Sequence, residues 1–448
     1  MQADRDSNDV INLYDSLWAQ FESDFWVTEQ TRGRLKRPRL DWFIQTVLQV
    51  EFREEVDISK LYSAYQQFAK GKTSSAQLQI LDKYAIHYQA LLDGDISMPI
   101  GRFGKKIELW DASTTHPLSL IVLTSSLSDE DQDTIYRYLI SYFIRRGVCG
   151  LTAKNYNRVF SQLIKHTKKQ INQDLIYTHL ASLEGDATRW PRDDEFKKEW
   201  IESEIYKKRL DSKKLNMLLL EIEIAMRSTR SEEVLIENNN LDIEHILPDK
   251  WHEHWPLSDG IFANEDELNK IDINELENNP KFKEIAYREK YKNTIGNLTL
   301  LHKSVNRSLQ NYAFAKKVET IFAESNLHLN RELLRADAWN EQKITSRAEK
   351  LFEYASTIWA GPEGKSNWSW FIDNTLSHQN NKQSFDTQKQ SNVSDSNEGA
   401  WITKGVIFPA GTSFRAEYKG RIFKAEVKDN LLVLNDGTEF TSPSSAAT

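Results

Sequence analysis

Apolar residues recur at intervals of three and four along most of the first half of the chain. Val10, Leu17 and Phe21 follow this spacing, and Leu61–Phe68 repeats it. Such spacing places apolar side chains on one face of a helix. It predicts amphipathic helices over 8–94, and equally over 130–147, 155–184 and 199–228. We therefore predict that residues 8–235 form one helical platform.

Two short segments depart from the helical spacing. Leu118–Thr124 is apolar throughout, so it fits either a buried strand or a helix. Leu241–Pro248 predicts a short strand that ends at its proline. A second strand is predicted to open with Asn297, and Asn306 follows early in a predicted helix. Between the two strands, Glu265–Tyr291 predicts a charged, largely helical insertion.

The residue types in this strand–strand–helix unit point to phosphodiester chemistry. Histidine, here His245, suits a general base because its pKa near 6.5 leaves it largely neutral at working pH. Carboxylate and amide oxygens, here those of Glu244 and Asn306, suit a hard cation such as Mg²⁺. Adjacent strand residues point to opposite faces, so Glu244 and His245 serve one site only at a bulge or strand end. An acid–His pair followed by two asparagines is typical of ββα-metal (HNH-type) nucleases.

The same segments resemble the C-terminal nuclease domain of the GmrSD family of modification-dependent (type IV) restriction systems. The resemblance is carried by Asp242–Pro248, Gly296–Leu301, Asn306, Phe314 and Lys317. Weaker matches lie at Phe143–Gly150, Asn155–Asn157, Trp190–Phe196, Leu218–Glu221, Ile344–Arg347 and Ile358–Trp359. In all, the resemblance extends over roughly residues 10–362.

The resemblance implies a role for each matching residue. His245 is expected to be the general base, and Asn297 to hold its strand by a hydrogen bond to backbone. Glu244 and Asn306 are expected to bind one Mg²⁺ (or Mn²⁺) ion. Glu244 stands where many HNH enzymes have Asp. The alternative to direct ligation is that Glu244 supports the ion without binding it directly.

Simpler roles remain open for the same side chains. An isolated histidine in an apolar strand, such as His245, is often a core residue. Asn306 is also consistent with a helix cap and Asn297 with a turn. His252 and His254 are spaced for a strand face rather than a helical zinc pair, so we expect loop or DNA-contact residues there.

Composition and charge set limits on the partners. The chain has 448 residues and a formal net charge of −8, which argues against a protein that simply coats DNA. Clusters of basic residues can still bind DNA in a protein whose net charge is negative. Five of the eight residues in Arg32–Arg39 are basic, and Arg307, Lys316 and Lys317 flank the predicted active helix. We expect these last three to contact phosphates, with a solvated helix face as the alternative.

The chain has one cysteine, Cys149, which excludes internal disulfides and fits a reducing cytoplasm. No apolar run approaches the length of a membrane span, and the polar N-terminus lacks a signal-peptide core. The sequence therefore predicts a cytoplasmic protein without a membrane partner. Cys149 itself is expected to be a small buried residue rather than a nucleophile.

The last part of the chain changes character. Residues 363–398 are polar and predict a disordered linker. Residues 399–448 alternate apolar and polar positions between turn signals and predict a small β-rich domain. This module resembles the RAMA-type modules found beside restriction enzymes and methylases, which implies a reader of DNA or of modified bases. Arg415 and Lys419 are the expected contacts, and a protein-binding domain is the alternative.

The predicted fold is thus mainly α with an embedded ββα-metal (HNH) nuclease unit at 236–362, plus a small C-terminal β-rich domain. The predicted function is a metal-dependent endonuclease that cuts foreign, base-modified duplex DNA in an anti-phage restriction system. The alternatives are a non-catalytic DNA-binding or regulatory subunit and a general nuclease on damaged DNA or RNA.

One feature of the GmrSD family has no counterpart in the sequence. The family's N-terminal NTP-hydrolysing domain carries an Asp-Gly-Gln-Gln-Arg signature, which does not occur here, and no Gly-x-x-x-x-Gly-Lys-Ser/Thr phosphate loop occurs either. Either a separate NTP-hydrolysing subunit is expected as a partner, or the gene is truncated.

Overall fold

The computed structural model describes residues 7–95, 97–227, 240–269, 279–309 and 311–363, and six short segments between 401 and 440. Those segments are 401–403, 406–408, 411–418, 421–428, 431–434 and 439–440. The chain divides into two compact units, Met1–Phe371 and Ile372–Thr448.

The first unit is mainly helical, which confirms the prediction of a mainly α fold. None of the helices in the described ranges is both long and apolar enough to cross a membrane. The helices are α1 (Ser7–Leu13), α2 (Asp24–Val27), α3 (Arg39–Phe52), α4 (Leu61–Ala69), α5 (Ser74–Asp93), α6 (Pro99–Ile107), α7 (His116–Leu123), α8 (Asp129–Val148), α9 (Tyr156–His166), α10 (Gln173–Ala181), α11 (Asp193–Glu202), α12 (Ser212–Met226), α13 (Glu265–Asn269), α14 (Pro280–Tyr291), α15 (Lys303–Leu309), α16 (Phe314–Glu324), α17 (His328–Arg331) and α18 (Glu341–Ile358).

Several of these helices begin at a side chain that caps the free backbone amides of the first turn. Ser128 caps α8, Asp211 caps α12 and Asn340 caps α18, each by accepting a bond from the amide three residues on. The cap of α12 begins a new helix inside the range 199–228, which was predicted to be helical throughout. The ambiguous Leu118–Thr124 segment falls mainly in α7, a helix that is buried on nearly all sides.

The prediction of helices throughout residues 8–94 was wrong at one place. Strands β1 (Glu29–Arg32) and β2 (Leu35–Pro38) pair antiparallel as a hairpin, with Arg32 opposite Leu35. Gly33 adopts a positive φ of 59° in the tight turn between them. Glycine reaches that conformation without steric cost, so the turn chemistry outweighs the helical spacing of the flanking residues.

Helix α8 carries two arginines that are fully buried, Arg145 and Arg146. Arg145 Nε donates to the carbonyl of Trp359 at 2.6 Å, just past the end of α18. Arg146 Nη1 donates to the carbonyl of Arg189 at 2.6 Å. Buried guanidinium groups require such partners. The two side chains therefore join α8 to the segment before α11 and to the end of α18.

A two-stranded antiparallel sheet forms from β3 (Leu241–His245) and β4 (Leu298–His302). Helices α12, α15 and α17 pack against it, and α18 packs on the turn before β4. Gly296 lies in that turn, where an added Cβ would sit 2.0 Å from the carbonyl oxygen of Ile344. Glycine is thus needed here for the close approach of α18.

The second unit contains strands only among its described residues. They form a pair, β5 (Trp401–Thr403) with β6 (Val406–Phe408), and an antiparallel sheet of β7 (Ser413–Tyr418), β8 (Arg421–Lys428), β9 (Leu431–Leu434) and β10 (Glu439–Phe440). Arg415 lies in β7 opposite Lys424. Lys419 and nearly all of the predicted linker at 363–398 lie outside the described residues. The likeness to RAMA-type modules stays a prediction.

Candidate active site

His245 is the last residue of β3 and stands opposite Leu298, the first residue of β4. The backbone continues past the strand end with one further bond, from the amide of Ile246 to the carbonyl of Asn297 at 2.9 Å. Asn297 was predicted to open the second strand, but it ends a short 3₁₀ turn, Ile295–Asn297, immediately before β4. A turn is needed there because the chain must reverse from α14 into the strand.

The side chain of Asn297 is fully buried and every polar atom of its amide is in use. Its Oδ1 accepts from the amide of Leu247 at 2.8 Å, and its Nδ2 donates to the carbonyl of Leu247 at 2.8 Å. Nδ2 also donates to the carbonyl of Lys292 at 2.8 Å, and Oδ1 accepts from Trp339 Nε1 at 3.0 Å. Asn297 therefore holds the segment that follows His245 by bonds to backbone.

The imidazole of His245 is held by a second asparagine, Asn293, which lies two residues before that turn. His245 Nε2 lies 3.0 Å from Asn293 Oδ1. The ring of Tyr206 packs beside the imidazole, with ring centroids 5.5 Å apart. The amide of Tyr206 donates to the carbonyl of Asn293 at 3.2 Å, so the three residues are joined to one another.

The surroundings favour the neutral form of His245. Burial lowers the pKa of His245 below its ordinary value of 6.5. The bond to Asn293 and the charge of Asp249 oppose this shift, whereas Lys207 and Lys317 add to it. A neutral imidazole has one nitrogen with a free lone pair. His245 can therefore act as a base at neutral pH.

Glu244 points away from His245 and into the protein. The two are neighbours in a regular ladder, where successive side chains face opposite sides of the sheet. Lys317 of α16 pairs with the Glu244 carboxylate and also donates to the carbonyl of His245 at 2.7 Å. Burial raises the pKa of Glu244 and lowers that of Lys317, and the ion pair opposes both shifts.

This pair changes what was expected of both residues. Lys317 is 1% exposed, so its ammonium lies in the interior and is not on the surface that DNA would contact. The carboxylate of Glu244 is 7% exposed and is already neutralised by that ammonium. In this arrangement Glu244 holds α16 against β3, which is a supporting position rather than that of an open metal ligand.

Asn306 lies within α15 rather than at its N-terminus, so it is not a helix cap. Its Nδ2 donates to the carbonyl of Ile243 at 3.0 Å, which leaves the Oδ1 as the atom with metal-ligand chemistry. Among the residues the structure describes, no group of three or more His, Cys, Asp or Glu side chains could hold a metal ion. Because Lys317 pairs with the carboxylate of Glu244, Asn306 Oδ1 is the predicted ligand atom that stays available to a divalent ion.

The other predicted contacts are on the surface. Arg307 is exposed on α15, and Lys316 is exposed on α16, where it pairs with Glu319 at 2.8 Å. His254 is exposed and His252 is partly buried in the segment after β3. Arg307 and Lys316 are therefore accessible to a phosphate backbone, in contrast to Lys317.

Four residues around the site were not found from the sequence. Asn293 and Tyr206 contact His245, and Asp249 shifts its pKa. Arg347 is buried and donates to the carbonyls of Gly296 and Leu298 at 2.9 and 2.8 Å, so it holds the turn from the side of α18. The proximity of Asn293 to Asn297 in the turn before β4 was the available signal.

His245 is held in one orientation at the end of β3, and its lowered pKa favours the neutral form that can accept a proton. Residues 190–354 match the family model described as GmrSD restriction endonucleases, C-terminal domain. The matched part of the chain includes α11, α12 and the whole hairpin site, which confirms the resemblance to that family there. A search of curated proteins found no match to the chain.

Proposed function

We propose that this protein is an HNH-type endonuclease of a restriction system, which hydrolyses phosphodiester bonds of foreign DNA that carries modified bases. The observation that supports it most is the hairpin site itself. It holds a neutral histidine by a side-chain bond, and it lies inside a region that belongs to a family of restriction endonucleases.

In the proposed reaction His245 removes a proton from a water molecule as the water oxygen attacks phosphorus. A new P–O bond forms, one P–O ester bond breaks, and the leaving oxygen takes a proton from solvent. General-base assistance of this kind contributes about 10²–10⁴ to the rate. Dependence on Mg²⁺ or Mn²⁺ stays part of the proposal because phosphodiester hydrolysis benefits from charge neutralisation, but no step is assigned to an ion.

The DNA is expected to approach over exposed cations. Arg307 and Lys316 are accessible on α15 and α16, and Lys207 is exposed beside the histidine. The Lys207–Asp249 pair, at 2.9 Å, is about half exposed, so it contributes little and can exchange for a phosphate. In the second unit, Arg415 and Lys419 remain the proposed contacts of a base-reading module. A separate NTP-hydrolysing subunit remains a proposed partner.

The alternative is a non-catalytic DNA-binding or regulatory subunit. The Glu244–Lys317 pair favours this alternative, because a buried ammonium already neutralises the carboxylate that was expected to bind the cation. A site that had lost its metal through evolution would keep the fold and the DNA surface. A nuclease and a binding subunit are therefore both expected to bind DNA, and only the nuclease is expected to cut it.

The deciding experiment compares the wild-type chain with His245→Ala and with His166→Ala as a matched control. Both variants remove one imidazole, but His166 is exposed on α9 and outside the hairpin. Each protein is incubated with supercoiled plasmid and with phage DNA containing glucosylated hydroxymethylcytosine, with Mg²⁺ or with EDTA. A parallel series adds the presumed partner and NTP.

We expect Mg²⁺-dependent cleavage that falls about 10²–10⁴-fold in His245→Ala and is unchanged in His166→Ala. Preference for the modified DNA would support the defence function, and equal cleavage of both would favour a general nuclease. Cleavage by His245→Ala at the wild-type rate would exclude His245 as the base. Binding without cleavage under every condition would establish the alternative.

A further inference from the structure

We infer that Asn293 is the positioning residue of the base, and that its Oδ1 keeps the proton of neutral His245 on Nε2 and leaves Nδ1 as the basic nitrogen. The inference rests on the proposed function, since it specifies which atom of His245 takes the proton from water. Nothing in the sequence pattern assigned a role to this asparagine.

The contact is direct and nearly closed to solvent. Asn293 Oδ1 lies 3.0 Å from His245 Nε2, and the asparagine is 7% exposed. A carbonyl oxygen can only accept a hydrogen bond, so the nitrogen facing it carries the hydrogen. A neutral imidazole has one N–H only. Nδ1 is therefore the nitrogen with the lone pair.

The turn that carries Asn293 is itself held at several points. The amide and hydroxyl of Thr294 both donate to the carbonyl of Tyr291, at 3.1 and 2.8 Å. The carbonyl of Lys292 accepts from Asn297 Nδ2 at 2.8 Å. Bonds on both sides of Asn293 thus fix the backbone from which its side chain reaches the imidazole.

Tyr206 restrains the imidazole from a further direction. Its ring packs against that of His245 at an interplanar angle of 44°, and its amide is bonded to the carbonyl of Asn293. A flip of the imidazole about its Cβ–Cγ bond would place the carbon Cε1 where Nε2 lies, so it would break the bond to Asn293 and disturb this packing. The same two residues therefore select both the orientation and the tautomer of the base. A general base works efficiently only when its basic nitrogen is held in place.

Two replacements of nearly the same shape separate this role from a merely structural one. Asn293→Asp keeps an oxygen that accepts from Nε2–H, whereas Asn293→Leu keeps the volume and removes the acceptor. We expect Asn293→Leu to lower kcat at saturating DNA by about 10–100-fold, as is typical when the partner of a working histidine is lost. Asn293→Asp is expected to stay within about threefold of wild type.

The double variant His245→Ala/Asn293→Leu tests whether the asparagine acts through the histidine. If it does, the double variant cuts as slowly as His245→Ala alone, because residues that act as one unit are not additive. DNA affinity and thermal unfolding of each variant verify that binding and folding are retained. Additive losses, or an aspartate variant as slow as the leucine variant, would overturn the inference.

The tautomer can also be observed without substrate. Histidines labelled with ¹⁵N report which ring nitrogen carries the hydrogen, and the His245→Ala spectrum assigns the signal among the ten histidines. We expect the Nε2–H form in wild type and Asn293→Asp, and a mixture of the two forms in Asn293→Leu. A wild-type Nδ1–H form would refute the inference. A wild type with the Nε2–H form but no cleavage would refute only the proposed function.

Discussion

The side-chain amide of Asn297 is bonded to both backbone groups of Leu247, fifty residues earlier in the chain, at 2.8 Å each. A primary amide that pairs with an N–H and a C=O in this way imitates a neighbouring strand. The contact therefore extends the β3–β4 ladder beyond its last backbone pair, His245 with Leu298. It restrains the chain two residues past the proposed base.

Replacing Asn297 by alanine should destabilise the protein strongly. The change leaves the backbone groups of Leu247, the carbonyl of Lys292 and the Trp339 indole N–H without this partner in a buried site. We expect a loss of about 3 kcal/mol in the free energy of unfolding, measured by urea denaturation. Asn326→Ala, at an exposed position, is the control and should change it by less than about 0.5 kcal/mol. Equal effects of the two variants would contradict the structure.

The buried pair of Glu244 and Lys317 provides a second test, with a neighbouring lysine as its control. Lys317→Met leaves a buried carboxylate without its cation, and we expect a loss of about 3–5 kcal/mol in stability. Lys316→Met removes an exposed lysine paired with Glu319 and should cost less than about 1 kcal/mol.

DNA binding should show the opposite order, with the larger loss in Lys316→Met. Lys316→Met is expected to weaken DNA binding and to lower its salt dependence by about one phosphate contact. Fluorescence anisotropy at several salt concentrations measures both quantities. A folded Lys317→Met protein with the larger loss of DNA affinity would indicate that Lys317 reaches the DNA after all.

The pH dependence of cleavage should have an acid limb below the ordinary pKa of histidine. Burial lowers the pKa of His245 from 6.5, and only the neutral imidazole accepts a proton. We expect kcat to rise with pH to a plateau, with a midpoint below 6.5, when measured from about pH 5 to pH 8. The charge of Asp249 raises this pKa, so Asp249→Asn should move the midpoint still lower. A midpoint above 6.5 would contradict the site.

The same lowered pKa predicts how stability changes with pH. The unfolded chain binds a proton at His245 more readily than the folded chain does. The contribution of His245 to the free energy of unfolding is therefore fully present above pH 6.5. It is lost as the pH falls through the lowered pKa of His245. His245→Ala should remove this part of the acid destabilisation, which denaturation curves at several pH values can measure.

Cys149 should be inert in the folded protein. Burial raises the pKa of its thiol to about 12, and only the thiolate reacts with disulfide reagents. With one cysteine in the chain, a colorimetric thiol assay at about pH 8 reads this site alone. We expect almost no reaction in the native protein and one equivalent after unfolding. Rapid reaction of native protein would show that the end of α8 opens.

Part of the site was accessible to sequence reasoning because its signals are local. The strand that ends at His245 and the asparagine before β4 lie in short motifs, and the resemblance they carry is confirmed for residues 190–354. The hairpin at 29–38 was missed because one glycine turn interrupts otherwise helical spacing. The roles assigned to Glu244, Asn306 and His245 stay predictions.

The sequence by itself determined the mainly helical class and the resemblance of the hairpin region to a known family, since periodicity and motifs act over a few residues. Only the tertiary structure decided which groups meet. Lys317 reaches Glu244 from 73 residues away, and Asn293 reaches His245 from 48 residues away. Both contacts depend on how α16 and the turn before β4 pack against β3. A buried charge or imidazole takes its partner from that packing, which no local pattern encodes.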